Sequence, residues 1–251
     1  SAIQGATEFL PVSSSAHLLL YNELVYNFKN SISFDIAVHL GSLLAVIFIL
    51  RNLIVDSFGF FNNQKKGNNL IYPLIIATIP IIISALIIET FLLVGFSRQL
   101  LIVAIANIVF SIFLYISDKT TQKKSISEIT KLDALIIGIF QSFALIPGAS
   151  RSGTTITGAR LLRFSRKDSI LIALLMSIPT IGCSALYLFF KIYNNIDGFD
   201  IKLLFTAGLF SFLLSLLSLK FLLWLGQVGS FTPFVIYRIF LGTVIILTFI
   251  R

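Results

Sequence analysis

Two stretches hold nearly all the chemistry this sequence could perform. QGATEFLPVSSSAHL (residues 4–18) gathers a glutamine, a glutamate, three serines and a histidine around one proline. QSFALIPGASRSGTT (141–155) sets an arginine among serines and threonines behind another proline. Gln4 and Glu8 are four apart and so share one face of a helix. Glu8 falls in an apolar run, where an ionisable group is costly and is a functional candidate by default. Ser13, Ser14 and Ser15 follow Pro11 and read as N-cap residues of a second half-helix. Hydroxyls and unpaired N–H groups at a helix N-terminus favour an anion. His17 lies in the first turns of that helix, placed to face the break and to move a proton. Arg151 offers a planar fork that matches phosphate oxygens. Ser150, Ser152 and Thr154 add donors around it, and Gly148 and Gly153 allow close backbone approach. A structural Arg151–Glu8 ion pair is the plainer alternative, and it is compatible with function when no substrate is bound.

An acid, a histidine, hydroxyls, an arginine and two helix N-termini suit a phosphate group carried on a lipid. Gln4 and Glu8 could hold a divalent cation, Mg²⁺ or Ca²⁺, together with phosphate oxygens. The sequence has no GxxxxGK[ST] loop and no aspartate-rich prenyltransferase box, which favours hydrolysis over nucleotide-driven chemistry. Other charges in apolar runs are weaker signals. Glu89 lies near one end of its run, and Lys220, Arg238, Arg160 and Arg163 are placed to snorkel. His39, alone in DIAVHLGSLL, reads as a packed or partner-bonded histidine.

The elements that must position these residues are membrane helices. Of 251 residues, 57% are hydrophobic and only 12% charged, against roughly a quarter in a soluble domain; mean hydropathy is +0.96. Six runs, at 34–51, 70–93, 99–117, 168–191, 201–224 and 233–250, are each long enough to cross about 30 Å of hydrocarbon. Segments 1–26 and 132–163 are broken at Pro11 and Pro147. Each reads as helix–break–helix, which survives at membrane depth only if buried in protein or lining a wet cavity.

The expected fold is therefore an all-α polytopic membrane protein with six transmembrane helices and two re-entrant segments. The two broken segments resemble each other, which divides the chain into a repeat at 1–117, a linker at 118–130 and a repeat at 131–251. Aligned on the prolines, Ser14 falls opposite Ser150 and Ser15 opposite Arg151, with one gap needed to align Gln4 with Gln141. If each broken segment dips in and returns, one face collects Arg51, Lys65, Lys66, Lys119, Lys123, Lys124, Lys131, Arg163, Arg166 and Lys167. The other keeps Lys29, Arg98, Lys191, Lys202 and Arg251. The first face is then cytoplasmic, and the repeats are inverted. The net charge of +8 is this loop bias and does not point to nucleic acid. The single Cys183 excludes an internal disulfide. The chain starts at Ser1 inside a helical pattern, so a few residues are expected to precede it, and no signal peptide is visible.

At these motifs the sequence resembles the undecaprenyl-pyrophosphate phosphatase family of bacterial membranes, the type linked to bacitracin resistance. QGATEFLPVSSSAHL is similar to its (E/Q)xxxE motif and following serine–histidine run, and PGASRSGTT to its PGxSRSGxT motif. Ala16 stands where many members have glycine. The resemblance implies hydrolysis of undecaprenyl pyrophosphate to the monophosphate and inorganic phosphate, recycling the lipid carrier of cell-wall synthesis. It implies a multi-pass protein of the bacterial inner membrane, a site opening to the extracytoplasmic side, and a homodimer as one arrangement. Gln4 and Glu8 become paired catalytic or metal-binding residues, Ser14 and His17 nucleophile or proton-transfer candidates, and Arg151 the phosphate ligand. Gln4 weakens a two-carboxylate metal site. Attack by Ser14, with Glu8 or His17 taking its proton, competes with attack by water with His17 as base. A polyprenyl-phosphate flippase using the same midplane site is the rival class, and a noncatalytic lipid-binding protein is the third.

Overall fold

The computed structural model describes residues 1–24, 32–57, 70–91, 100–192 and 200–249. The expected loop NNQKKGNN at 62–69, with Lys29, Lys65, Lys66, Arg98 and Arg251, lies outside them. The described residues are helical: α1 Ala2–Thr7, α2 Ser14–Leu24, α3 Ile32–Ser57, α4 Ile71–Phe91, α5 Leu100–Asp118, α6 Lys131–Ser142, α7 Arg151–Leu161, α8 Arg166–Ile192, α9 Ile201–Val228 and α10 Thr232–Phe249. Five of these, α3, α4, α5, α8 and α9, are long and apolar enough to cross a membrane. The sixth run forms α10, which is apolar but shorter. Its 18 residues reach roughly 27 Å at ~1.5 Å per residue, just under the hydrocarbon thickness.

Both proline-containing segments are broken as expected. α1 stops at Thr7 and α2 begins at Ser14. α6 is capped by Thr130, whose hydroxyl accepts from Asp133 N while the Asp133 carboxylate accepts from the Thr130 backbone. A short 3₁₀ turn, Phe143–Leu145, follows it before α7.

The halves pack alike. α1 lies on α9 as α6 lies on α4, while α3 meets α8 and α5 meets α10. Two glycines set these approaches. A Cβ on Gly5 would sit 2.7 Å from Ser211 O, and one on Gly138 2.4 Å from Ala77 O. Both neighbours are backbone, so only glycine lets each short helix lie directly on its long partner. Phe9 and Val12, in the first break, are buried in the main apolar core with Ile156, Leu219 and Phe231.

The polar linker is folded. Lys124 Nζ pairs with Asp133 at 3.0 Å, and the Lys123 and Lys124 N–H groups both donate to Arg163 O. Hydrogen bonds from the Ser125 N–H and then its hydroxyl hold the exposed Glu128 carboxyl below its ordinary range.

Arg163 and Lys220 are exposed, as expected. Arg160 and Arg238 are not: both are fully buried, and neither snorkels. Arg160 donates to Asp118 O (3.1 Å), Thr120 O (2.7 Å) and Phe164 O. The Asp118 carboxylate also takes Arg166 Nε at 2.6 Å and Phe231 N–H at 3.1 Å. This buried cluster ties the end of α5 to the ends of α7, α8 and α10. A charge so placed persists because three carbonyls accept from its amino groups and the Asp118 carboxylate lies 3.8 Å from its Nε.

Candidate active site

The two breaks are built to one pattern. Ser13 has φ 68° and Ser150 φ 71°, a left-handed conformation uncommon outside glycine. Each serine hydroxyl then accepts from a backbone N–H three residues on, Ala16 N at 3.4 Å and Gly153 N at 3.2 Å. Each also meets the serine two residues on, Ser15 at 3.1 Å and Ser152 at 3.2 Å. These second serines cross between the halves. Ser15 Oγ accepts from Gly148 N at 3.2 Å, and Ser152 Oγ donates to Leu10 O at 2.9 Å. The loops are thus clasped reciprocally.

This geometry corrects the repeat register by one residue. Ser13 pairs with Ser150, Ser14 with Arg151 and Ser15 with Ser152, and Gln4 meets Gln141 without a gap. The prolines are the residues out of step, with Pro11 opposite Gly148. Proline alignment misled because each proline breaks its helix from a different point in the loop.

Glu8 is the C-cap of α1, and both its oxygens are engaged. Oε1 accepts from Arg151 Nη2 at 2.9 Å. Oε2 accepts from Gln4 Nε2 at 2.5 Å and from Ser14 Oγ at 3.4 Å. Both side chains of the ion pair are largely buried, at 8% and 13% exposure, which strengthens their interaction over a surface pair. The Arg151 guanidinium also lies over the Phe9 ring at 5.9 Å.

The chain of contacts extends to His39, which reads in the sequence as a packed histidine outside the site. His39 Nε2 lies 3.2 Å from Gln4 Nε2, and Nδ1 lies 2.6 Å from Asp35 O. An Nδ1–H donated to Asp35 leaves Nε2 free to accept from Gln4, which orients the amide toward Glu8. Glu8, Arg151 and His39 line a cavity of about 600 Å³ that runs between α4 and α8 past Thr180 to Glu89 and Tyr187. At that end the Tyr187 hydroxyl donates to Glu89.

Several expected site residues point elsewhere. His17 does not face Glu8. Its Nδ1 lies 2.8 Å from Ser13 O and its Nε2 2.5 Å from Tyr237 Oη, with the two rings stacked at 5.6 Å. Tyr237 is 220 residues away, so nothing near His17 in sequence could announce this partner. The Thr154 hydroxyl donates to Arg151 O within its own helix. Ser13, Ser15, Ser150 and Ser152 spend their hydroxyls on the clasp. The close approach that Gly153 permits is to Arg238: a Cβ there would lie 2.8 Å from Arg238 Nη1.

Arg238 supports the arginine-bearing loop from behind. Its Nη2 donates to Gly148 O (3.0 Å) and Ala149 O (2.9 Å), and its Nε to Asn107 Oδ1 (2.8 Å). Asn107 Nδ2 returns a bond to Arg238 O at 3.1 Å. Arg238 Nη1 is buried without a hydrogen-bond partner among the described residues.

Among the described residues no cluster of three or more His, Cys, Asp or Glu could hold a metal ion. A hard cation shared with substrate needs less. Gln4 Oε1 is buried without a hydrogen-bond partner, and with the Glu8 carboxylate it offers the oxygen donors such an ion takes beside phosphate oxygens.

Comparison with known proteins gives the family. Residues 1–244 match the model of a family described as "Bacitracin resistance protein BacA". A protein of Pelagibacter ubique named "Undecaprenyl-diphosphatase" is 41% identical over 251 residues, covering 98% of this chain and 93% of its own. Proteins of the same name from Ruegeria sp. and Aliivibrio salmonicida are 41% and 40% identical, covering 97% and 96% of this chain and 94% and 92% of their own.

Proposed function

The chain belongs to the bacitracin resistance protein BacA family, and from that premise we propose how its residues perform the reaction. The protein hydrolyses undecaprenyl pyrophosphate to undecaprenyl phosphate and inorganic phosphate, in a multi-pass membrane setting. The relatives bear a hydrolase's name, which favours this activity over the flippase reading.

The observation that carries the mechanism is the sharing of Glu8. One oxygen holds Arg151 and the other lies within reach of the Ser14 hydroxyl, beside a cavity large enough for a lipid headgroup. On binding, the substrate's terminal phosphate takes the Arg151 fork, which matches it at two oxygens. Glu8 is thereby released from its ion pair and becomes a better base. Ser14 Oγ attacks the terminal phosphorus and passes its proton to Glu8, while the bridging P–O bond breaks to leave undecaprenyl phosphate. Glu8 passes that proton to the departing bridging oxygen, and water then attacks the phosphoserine with the re-ionised Glu8 as base, the proton going on to Ser14 Oγ as phosphate leaves. Glu8 takes this role over His17 because both His17 nitrogens are engaged, by Ser13 O and the Tyr237 hydroxyl.

A divalent cation held by Gln4 and Glu8 would neutralise phosphate charge during transfer. His39 orients Gln4, and Arg238 and the serine clasp hold the two loops against each other. The 600 Å³ cavity supports an opening on the side where α4 and α8 end, away from the basic linker, which is the extracytoplasmic side if lysine and arginine bias sets orientation. Six crossings with re-entrant α1–α2 and α6–α7 pairs are the topology this implies.

Acid-quench labelling tests the central step. With substrate carrying a labelled terminal phosphate, the wild type yields phosphoserine at Ser14. Full turnover without labelled protein at any quench time, with Ser14→Ala as active as wild type, would replace Ser14 by water.

A further inference from the structure

The space around the Glu8–Arg151 pair does not end with the polar cavity. A second cavity of about 490 Å³ lies further along the same seam between α4 and α8, where α3 joins as a third wall. Ile82 lines both cavities, so the two adjoin at that side chain. Their chemistry differs sharply. The first carries Glu8, Arg151, His39 and Glu89. The second is walled by aliphatic side chains, among them Ile47, Ile75, Ile79 and Ile178. Its two hydroxyls are turned to their own helices, Ser57 to Leu53 O (2.6 Å) and Thr78 to Leu74 O (2.7 Å). It therefore offers a ligand dispersion contact and nothing for a polar group.

Each helix of the seam also has a proline at the junction. Pro80 sits in α4 between Ile79 of the second cavity and Ile81 of the first. Pro179 of α8 lines the second cavity, and its neighbour Thr180 lines the first. Neither helix is thus a continuous hydrogen-bonded rod where the cavities meet. Ile75 and Ile79 are about half exposed, so the second cavity opens sideways along its length.

A polar pocket adjoining an apolar trough matches one kind of molecule: a charged head on a long hydrocarbon chain. We infer that the α3–α4–α8 trough takes the polyprenyl chain of the substrate whose pyrophosphate sits at Glu8 and Arg151. The chain leaves the headgroup cavity at Ile82, passes the proline level, and lies in the trough with one side open to the bilayer. This rests on the hydrolase reading and deepens it: the trough makes the enzyme sense the chain as well as the head. A chain too short to pass Ile82 gains nothing from the trough.

The test compares phosphate release from undecaprenyl pyrophosphate and from 15-carbon farnesyl pyrophosphate, with detergent-purified full-length protein. Ile79→Trp and Ile47→Trp narrow the trough from two different helices without touching the headgroup cavity. Each is expected to lower kcat/KM for undecaprenyl pyrophosphate by about tenfold or more, chiefly through KM, while the farnesyl value stays within about twofold. An unchanged ratio between the two substrates in both variants overturns the inference, whether both activities stand or both fall; the trough then holds only bilayer lipid. Absence of phosphate release by the wild type from either substrate would refute the hydrolase reading instead.

Discussion

Replacing Arg238 by methionine tests whether the arginine-bearing loop is held in place from behind. Methionine keeps most of the stem's bulk and removes the guanidinium. Three bonds vanish: to Gly148 O, Ala149 O and Asn107 Oδ1. Hydrogen bonds to charged groups contribute about 1.5–3 kcal/mol each. Against their loss stands the relief of a fully buried cation, one of whose amino groups makes no bond. Removing such a charge recovers several kcal/mol of desolvation cost. The net loss of global stability is therefore modest, about 1–3 kcal/mol, a fall of several degrees in Tm for a protein that still folds.

The local effect is larger than the global one. Ser150 (φ 71°) holds a left-handed conformation that a non-glycine residue keeps only while its surroundings enforce it. Freed carbonyls at 148 and 149 let this loop relax, and Arg151 moves with it. A shift of about 1 Å in a positioning group can cost roughly a hundredfold in rate. Arg238→Met is thus expected to lower kcat about a hundredfold with a much smaller change in KM. Arg238→Lys recovers little, because an ammonium cannot span three acceptors in one plane as the fork does. The assays are steady-state phosphate release and thermal unfolding in detergent. A methionine variant with kcat within about threefold of wild type, or a lysine variant indistinguishable from it, refutes the reasoning.

Four further outcomes follow from the site. Glu8→Gln removes the base and leaves Arg151 without its counter-charge, and should lower kcat by about 10²–10⁴-fold; activity near wild type would move the base elsewhere. Ser14→Ala should abolish both phosphoserine labelling and turnover, measured in the same quench series. His39→Phe frees the Gln4 amide, so activation by Mg²⁺ or Ca²⁺ after chelation should require about 10–100-fold more cation; an unshifted titration would dissociate His39 from the cation site. Gly138→Val forces a side chain against Ala77 O and should lower Tm with a stability loss of about 1–3 kcal/mol or more, without altering the KM of the fraction that folds.

Glu8 and Arg151 were legible in the sequence because a charge in an apolar run is conspicuous and needs an explanation. The breaks were legible for the same reason: prolines and serines interrupt periodicity. Partners were not. His17 is read from its neighbours as facing the break, yet Tyr237, a whole repeat away, takes it. Arg238 and Arg160 stand near the ends of apolar runs, where long cations ordinarily reach water. That they turn inward depends on carbonyls at Gly148, Ala149, Asp118 and Thr120, and a carbonyl leaves no mark in a sequence. His39 had the residue type but lacked a visible partner, because Gln4 comes from another helix.

The corrected register shows how one scaffold came to carry chemistry. The serines that match between the halves are structural: Ser13 with Ser150, and Ser15 with Ser152. They build two left-handed turns and cross-brace them. The parts that differ are the reactive ones. Glu8 stands opposite Leu145, Ser14 opposite Arg151, and His17 opposite Thr154. One half thus supplies the carboxylate and hydroxyl, and the other the guanidinium that the proposed mechanism sets on phosphate. A symmetric site would have paired either two carboxylates, which repel, or two arginines with no base between them. Breaking the symmetry at Glu8 and Arg151 places opposite charges 2.9 Å apart on two loops that the serines hold together. In the proposed mechanism the pair that neutralises the site is also the pair that the substrate separates.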